Sequence, residues 1–289
     1  MKKAFLIIFL VLVSCGGRDF RHLHFRHKPR WKKASLSAKR AEALKPLLLL
    51  PPSREAAMDG PVDLLLRRGE GIPGVEALAL PPRFDSAALR IGGEQRSLEL
   101  ATLLGRRGFF FSFDRKRRIS GDAAFAFAAL PEFGVQDCGK VLFSLPDSDR
   151  HMPSASPAIT ARFGIELEIV PLLDPLALGP GAELPVRVCF KGRGLWGLHL
   201  SAEVLPLGRR VSSGRVFEGV SDESGMVLVP LRVLGLWVLR AEYRERGAEK
   251  GQASEGLLHR TFLSFRLAQG PLTQGARKEP LFHQGREDR

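Results

Sequence analysis

The sequence predicts an all-β protein, with an immunoglobulin- or transthyretin-like sandwich in its C-terminal half and a second, smaller β-rich domain before it. Three observations carry this prediction. Short apolar segments recur about every ten to fifteen residues through the second half, bounded by Gly, Pro, Asp and Ser. Several of them alternate apolar and polar residues, the period of two that puts one strand face inside. Beyond a short helix-forming run at Ser37–Leu44, no stretch holds the spacing of an amphipathic helix.

Taken in order, Leu47–Leu50 is a buried-strand candidate stopped by Pro51 and Pro52, and Val62–Leu66 is a strand ending at Arg67, Arg68 and Gly69. Residues 71–82 are rich in Gly and Pro and read as loop. Ser97–Leu100 and Phe109–Phe113 follow as strands, with Phe109, Phe111 and Phe113 on one face as a core stripe. The basic run Arg115–Arg118 is then an exposed connection, and Gly139–Leu145 is apolar again. Residues 146–157 are polar and punctuated by proline, which places a domain boundary there.

The second half is more regular. Ile165–Val170 leads into a proline-flanked turn, and Gly179, Pro180 and Gly181 make another. Leu184, Val186 and Val188 alternate with Pro185, Arg187 and Cys189. Pro185 fits such a strand only on an edge or near its start. Strands are expected at His199–Leu205, Val216–Val220, Met226–Leu231, Leu236–Tyr243 and Thr261–Leu267, with a turn at Asp222–Gly225. Trp196 and Trp237 are expected in or beside this core, because a buried indole contributes a large apolar area. His199, between Leu198 and Leu200, is expected to face solvent.

The N-terminus carries a different signal. Lys2 and Lys3 precede the apolar run Ala4–Val13. That run is shorter than the roughly 20 helical residues that cross a bilayer, and it suits the hydrophobic region of a signal peptide. It ends in Leu12, Val13, Ser14 and Cys15, which resembles the lipobox of bacterial lipoproteins. The organisation expected is a signal peptide over 1–14, acylation at Cys15, and a basic flexible tether over 15–44. A β-rich domain over 45–150, the sandwich over 160–268 and a disordered tail over 269–289 complete it. An ordinary secretory leader with an incidental cysteine is the competing reading. Treated as a flexible coil, the tether spans roughly 30 Å.

The net charge of +13 in 289 residues is concentrated partly in Arg18–Arg40, where Asp19 is the one acid. Such charge points to nucleic acid in a cytosolic chain. Beside a lipid anchor it points to anionic headgroups, at about 1 kcal/mol per basic residue. The expected partners are therefore a membrane and an envelope protein or transporter, with no nucleic acid. The expected location is the cell envelope, facing the periplasm or the exterior. Hydrophobic content of 44% excludes wholesale disorder. Cys138 and Cys189 could pair in an oxidising compartment, or be two separately buried thiols.

Residues 164–175 (GIELEIVPLLDP) are followed by Leu178, Gly181, Leu184, Val186, Arg187 and Val188, then by Ser221, Asp222, Gly225, Pro230 and Leu231, and by 235–241 (GLWVLRA). This series resembles a bacterial domain family of formally unknown function that includes periplasmic components of nickel and cobalt uptake systems. The resemblance spans about Leu47 to Leu267 and is densest from Phe163 to Ala241. It implies a secreted, mostly β, non-enzymatic protein, in some members serving transition-metal delivery.

The chemistry of single residues adds little to this. His22, His24 and His27 form H-x-H-x-x-H, a spacing at which neutral imidazoles bind nickel, cobalt, copper or zinc. The five cations nearby oppose a divalent ion, so a solvated tether is the default and these three histidines are the metal-site candidates. His151, His259 and His283 are scattered. No G-x-S-x-G, G-x-G-x-x-G, Walker-type loop or H-E-x-x-H occurs, and no enzyme is expected. Glu166 and Glu168 could form an acid–base pair on one strand face, but exposed strand acids are the simpler expectation.

Overall fold

The computed structural model describes residues 45–52, 62–69, 72, 83–92, 94–97, 102–105, 108–113, 121–145, 156–207, 214–245 and 256–268. The all-β prediction holds. The first half contributes β1 (Leu47–Leu50), β2 (Val62–Arg68), β3 (Phe84–Ile91), β4 (Glu94–Ser97), β5 (Thr102–Gly105), β6 (Gly108–Phe113), β7 (Gly121–Ala129) and β8 (Val135–Leu145). A one-turn helix, α1 (Pro157–Thr160), precedes β9 (Leu167–Pro171) and β10 (Ala182–Phe190). The chain continues as β11 (Arg193–Gly194), β12 (His199–Pro206), β13 (Gly214–Val220), β14 (Met226–Leu231), β15 (Gly235–Arg244) and β16 (Leu258–Leu267).

These strands make three layers. The middle layer is an eight-stranded sheet ordered β13-β12-β15-β16-β8-β7-β3-β4. One outer layer is a four-stranded sheet ordered β1-β2-β6-β5, and the other is β11-β10-β14 with β9 on the far edge of β10. The period-two rule explains why the middle sheet is apolar on both sides. Along β7 and β15, Phe125, Phe127, Leu236 and Val238 face the first outer sheet and join Leu48, Leu64 and Leu66 in one core. Ala124, Trp237 and Leu239 face the other way and join Ile169, Val186, Val188 and Val229 in a second.

The expected strands at 47–50, 62–66, 109–113 and 139–145, and those of the second half, all form. For β6 this concerns the backbone alone, and the Arg115–Arg118 run lies outside the described residues. Strands β3, β5, β7 and the short β11 were not anticipated, and of the strand expected at Ser97–Leu100 only Ser97 is among the described residues, as the last of β4. The reason is clearest for β7, whose five alanines have low strand propensity yet sit where both faces are covered. Alanine lets the segment after α1 lie close, with Ile165 against Ala126 and Ala128. Gly139 on β8 serves the opposite face, since a Cβ there would fall 2.3 Å from the Phe262 ring.

The middle sheet also runs across the boundary expected at 146–157. β8 and β16 come from either side of it and pair in parallel, from Leu258 opposite Val135 to Ser264 opposite Val141. A parallel pairing between such distant segments leaves no local trace in sequence. Pro185 sits near the start of β10, as its chemistry requires. Its carbonyl accepts from Leu172 N at 2.9 Å just past the end of β9, so its missing N–H breaks no ladder bond.

A candidate binding face at one end of the sandwich

The register brings one set of chain ends together. At the edge where β8 and β16 begin, β7, β13 and β15 end, and β12 begins nearby. Described connections at this edge include the 130–134 hairpin, the 195–198 crossover and the 221–225 turn.

The crossover is held firmly although its central side chain is not buried. Ser221 Oγ donates to Leu195 O at 2.6 Å and accepts from Leu198 N at 2.9 Å, while Gly197 N donates to Ser221 O at 2.9 Å. Trp196 stands between these pinned residues with 76% of its surface exposed, which corrects the expectation that it lines the core. The reason is local. The backbone just before it packs tightly on the 221–225 turn, where a Cβ on Gly225 would lie 2.6 Å from Val188 O and 2.8 Å from Gly194 Cα. Asp222 caps the neighbouring turn. The Met226 N–H, then the Ser224 hydroxyl, hold its carboxyl below the usual carboxylate range.

The hairpin tip is also unusual. Glu132 and Val135 exchange two backbone hydrogen bonds, 2.9 and 3.0 Å, around Phe133 at φ 50° and Gly134 at φ 77°. Two positive φ values make this the type I′ geometry, whose first central position favours Asn or Gly over a bulky residue. Phe133 occupies that position with 45% of its surface exposed.

Lys45, where the described chain begins, is fixed to the same end. Its carbonyl accepts from Arg68 Nη1 at 2.9 Å and from Arg260 Nη2 at 3.3 Å. Asp137 joins these two guanidinium groups. Arg260 grips its carboxylate through Nε at 2.8 Å and Nη2 at 3.0 Å, and Arg68 Nη1 donates at 3.3 Å. This bidentate grip ties β2, β8 and β16 together.

Elsewhere the buried ionisable groups hold loops down. Glu168 is buried, contrary to its expected exposure, because Lys140 of β8 forms an ion pair with it. Its carboxylate also accepts from Phe163 N at 3.0 Å and Gly164 N at 3.2 Å, and Lys140 Nζ donates to Ala161 O at 2.9 Å. Burial lowers the Lys140 ammonium below its ordinary value, with Glu168 opposing that shift. At the other end, burial pushes the Asp174 carboxyl up to about 6. The Leu176 N–H bond counters this, and the nearby Asp122 charge adds to it. His259 faces the second core, its ring 4.9 Å from Phe190 and its Nε2 3.4 Å from Glu245 Oε2. His199 is exposed, as expected.

Cys15, His22, His24 and His27 lie outside the described residues, as do His151, His283 and the tail. Cys138 and Cys189 are free thiols, both buried, with no bond between them. Burial pushes the Cys138 thiol up to about 12 and raises that of Cys189. Among the described residues, no three His, Cys, Asp or Glu side chains gather as a metal site would require. No described helix is long and apolar enough to cross a membrane.

The layered sheets and the exposed, braced Trp196 define a class: an all-β protein whose end loops present side chains outward. Residues 103–245 match the model of a domain family of unknown function, DUF4198, in agreement with the resemblance drawn from the sequence. No curated protein matches the chain.

Proposed function

We propose that the protein is a lipid-anchored, non-enzymatic binding module of the bacterial envelope, accessory to transition-metal uptake. The observation that carries this reading is Cys15, placed directly after a basic, apolar leader. The braced Trp196 supports the binding role, because rigid scaffolds that present loop residues are the usual form of recognition surfaces. Lys140, Glu168, Asp137 and Arg260 support the non-enzymatic part, each being taken up in internal pairs. The metal role rests on the family resemblance, with His22, His24 and His27 as the ligand set. Trp196 favours a second reading, in which the same face holds an envelope protein and no metal is involved.

Mass spectrometry of the protein from its own cells tests the anchor. A fatty-acylated Cys15 at the mature N-terminus is expected, and an intact Met1 with no lipid refutes the anchor. Equilibrium binding of nickel, cobalt and zinc to the intact chain, and to one carrying Ala at the three tether histidines, tests the metal role. Binding lost only in the variant supports uptake, while no binding in either chain leaves the second reading.

A further inference from the structure

Three features meet at one end of the sheets. The Lys45 backbone is clamped there by Arg68 and Arg260. Trp196 stands outward on a crossover braced by Ser221. Phe133 sits at a left-handed position that disfavours bulky residues, on a hairpin tip where its ring stays out of both cores. Among the described side chains, Phe133 and Trp196 are the exposed aromatic ones, and both lie at this end. The large exposed side chains toward the far end, Leu173 and Leu207, are aliphatic. A bulky residue at a left-handed position is an outlier from which a use can be argued. Indole and phenyl rings on braced tips suit the boundary between headgroups and acyl chains, where Trp is enriched. Exposed Arg83, whose carbonyl accepts from Leu130 N at 2.9 Å, and exposed Arg193 flank the two tips with positive charge. Asp222 and Glu223, exposed on the adjacent turn, carry the opposite charge, so the two rings rather than net charge supply most of the contact.

We propose that Phe133 and Trp196 form a membrane-docking face, by which the body lies against the headgroup boundary of an anionic bilayer. This rests on the anchor reading for its biological setting, since the acylated tether would bring this end to the membrane. The face itself can be tested whether or not Cys15 carries lipid.

The experiment uses the full chain on vesicles of anionic phospholipid with brominated acyl chains, which quench tryptophan on contact. Trp31 is replaced by Phe, so that Trp196 and the buried Trp237 report. Emission should fall about two-fold relative to unbrominated vesicles, and the loss should vanish in the additional Trp196→Phe chain, which leaves Trp237 alone. Phe133→Asn should reduce the Trp196 quenching while leaving the melting temperature equal or higher, because Asn suits the turn better. Equal emission on both kinds of vesicle overturns the proposal, as does quenching that Phe133→Asn leaves unchanged. An unacylated Cys15 together with quenched Trp196 would refute the anchor and leave the docking face standing.

Discussion

Trp237 and Trp196 carry the same side chain in opposite surroundings, and the contrast predicts opposite costs of removal. Trp237 is fully buried in the second core, and its Nε1 donates to Val233 O at 2.8 Å. Its replacement by Ala should cost about 3–5 kcal/mol in urea denaturation, the range for deleting a large buried aromatic. Trp196→Ala should stay within about 0.5 kcal/mol of the parent, as exposed substitutions do. The Lys140–Glu168 pair makes a second residue-scale case. Glu168→Ala leaves a buried ammonium without its counter-charge and two backbone N–H groups without an acceptor, for an expected loss of about 3–5 kcal/mol. Replacing both residues by Met and Leu should recover much of that loss, since neither charge then remains to be buried. A double-mutant cycle measures it, and additive losses would show that the pair is not coupled.

At the scale of elements, the loop after β9 is held by Asp174. It accepts from Leu176 N at 2.9 Å and from Ser156 N at 3.5 Å, and burial raises its carboxyl from 3.8 to about 6. A folded value above the unfolded one means that the folded state holds this proton more tightly. Its stabilising contribution is therefore complete below about 4 and is lost as pH rises toward 6. Asp174→Asn, which stays neutral, should flatten the decline in melting temperature across that window. Parallel pH profiles for the two proteins would remove Asp174 as its source. The alanine-rich β7 shows the limit of element-level reading. Its residues look weak as strand formers, and only burial on both faces makes them suitable.

Across the whole molecule, the eight-stranded sheet is the shared wall of both cores. A chain consisting of residues 160–268 alone would expose Leu236, Val238 and Phe262 and leave β16 without its β8 partner. Such a fragment is expected to lack a cooperative thermal transition by circular dichroism. A sharp, reversible melt would show that the second half folds without the first.

The sequence alone determined that the chain is β-rich, where most of its strands lie and which turns bound them. Those are local properties: alternation and Gly and Pro punctuation act over a few residues. Tertiary structure decided that β8 pairs with β16, that Trp196 points outward while Trp237 points inward, that Glu168 meets Lys140 across two sheets, and that Phe133 and Trp196 share one end of the sheets. Each of these depends on segments far apart in the chain being brought together. Period-two alternation states that a strand has two faces, but only the neighbouring layers state which of them meets solvent.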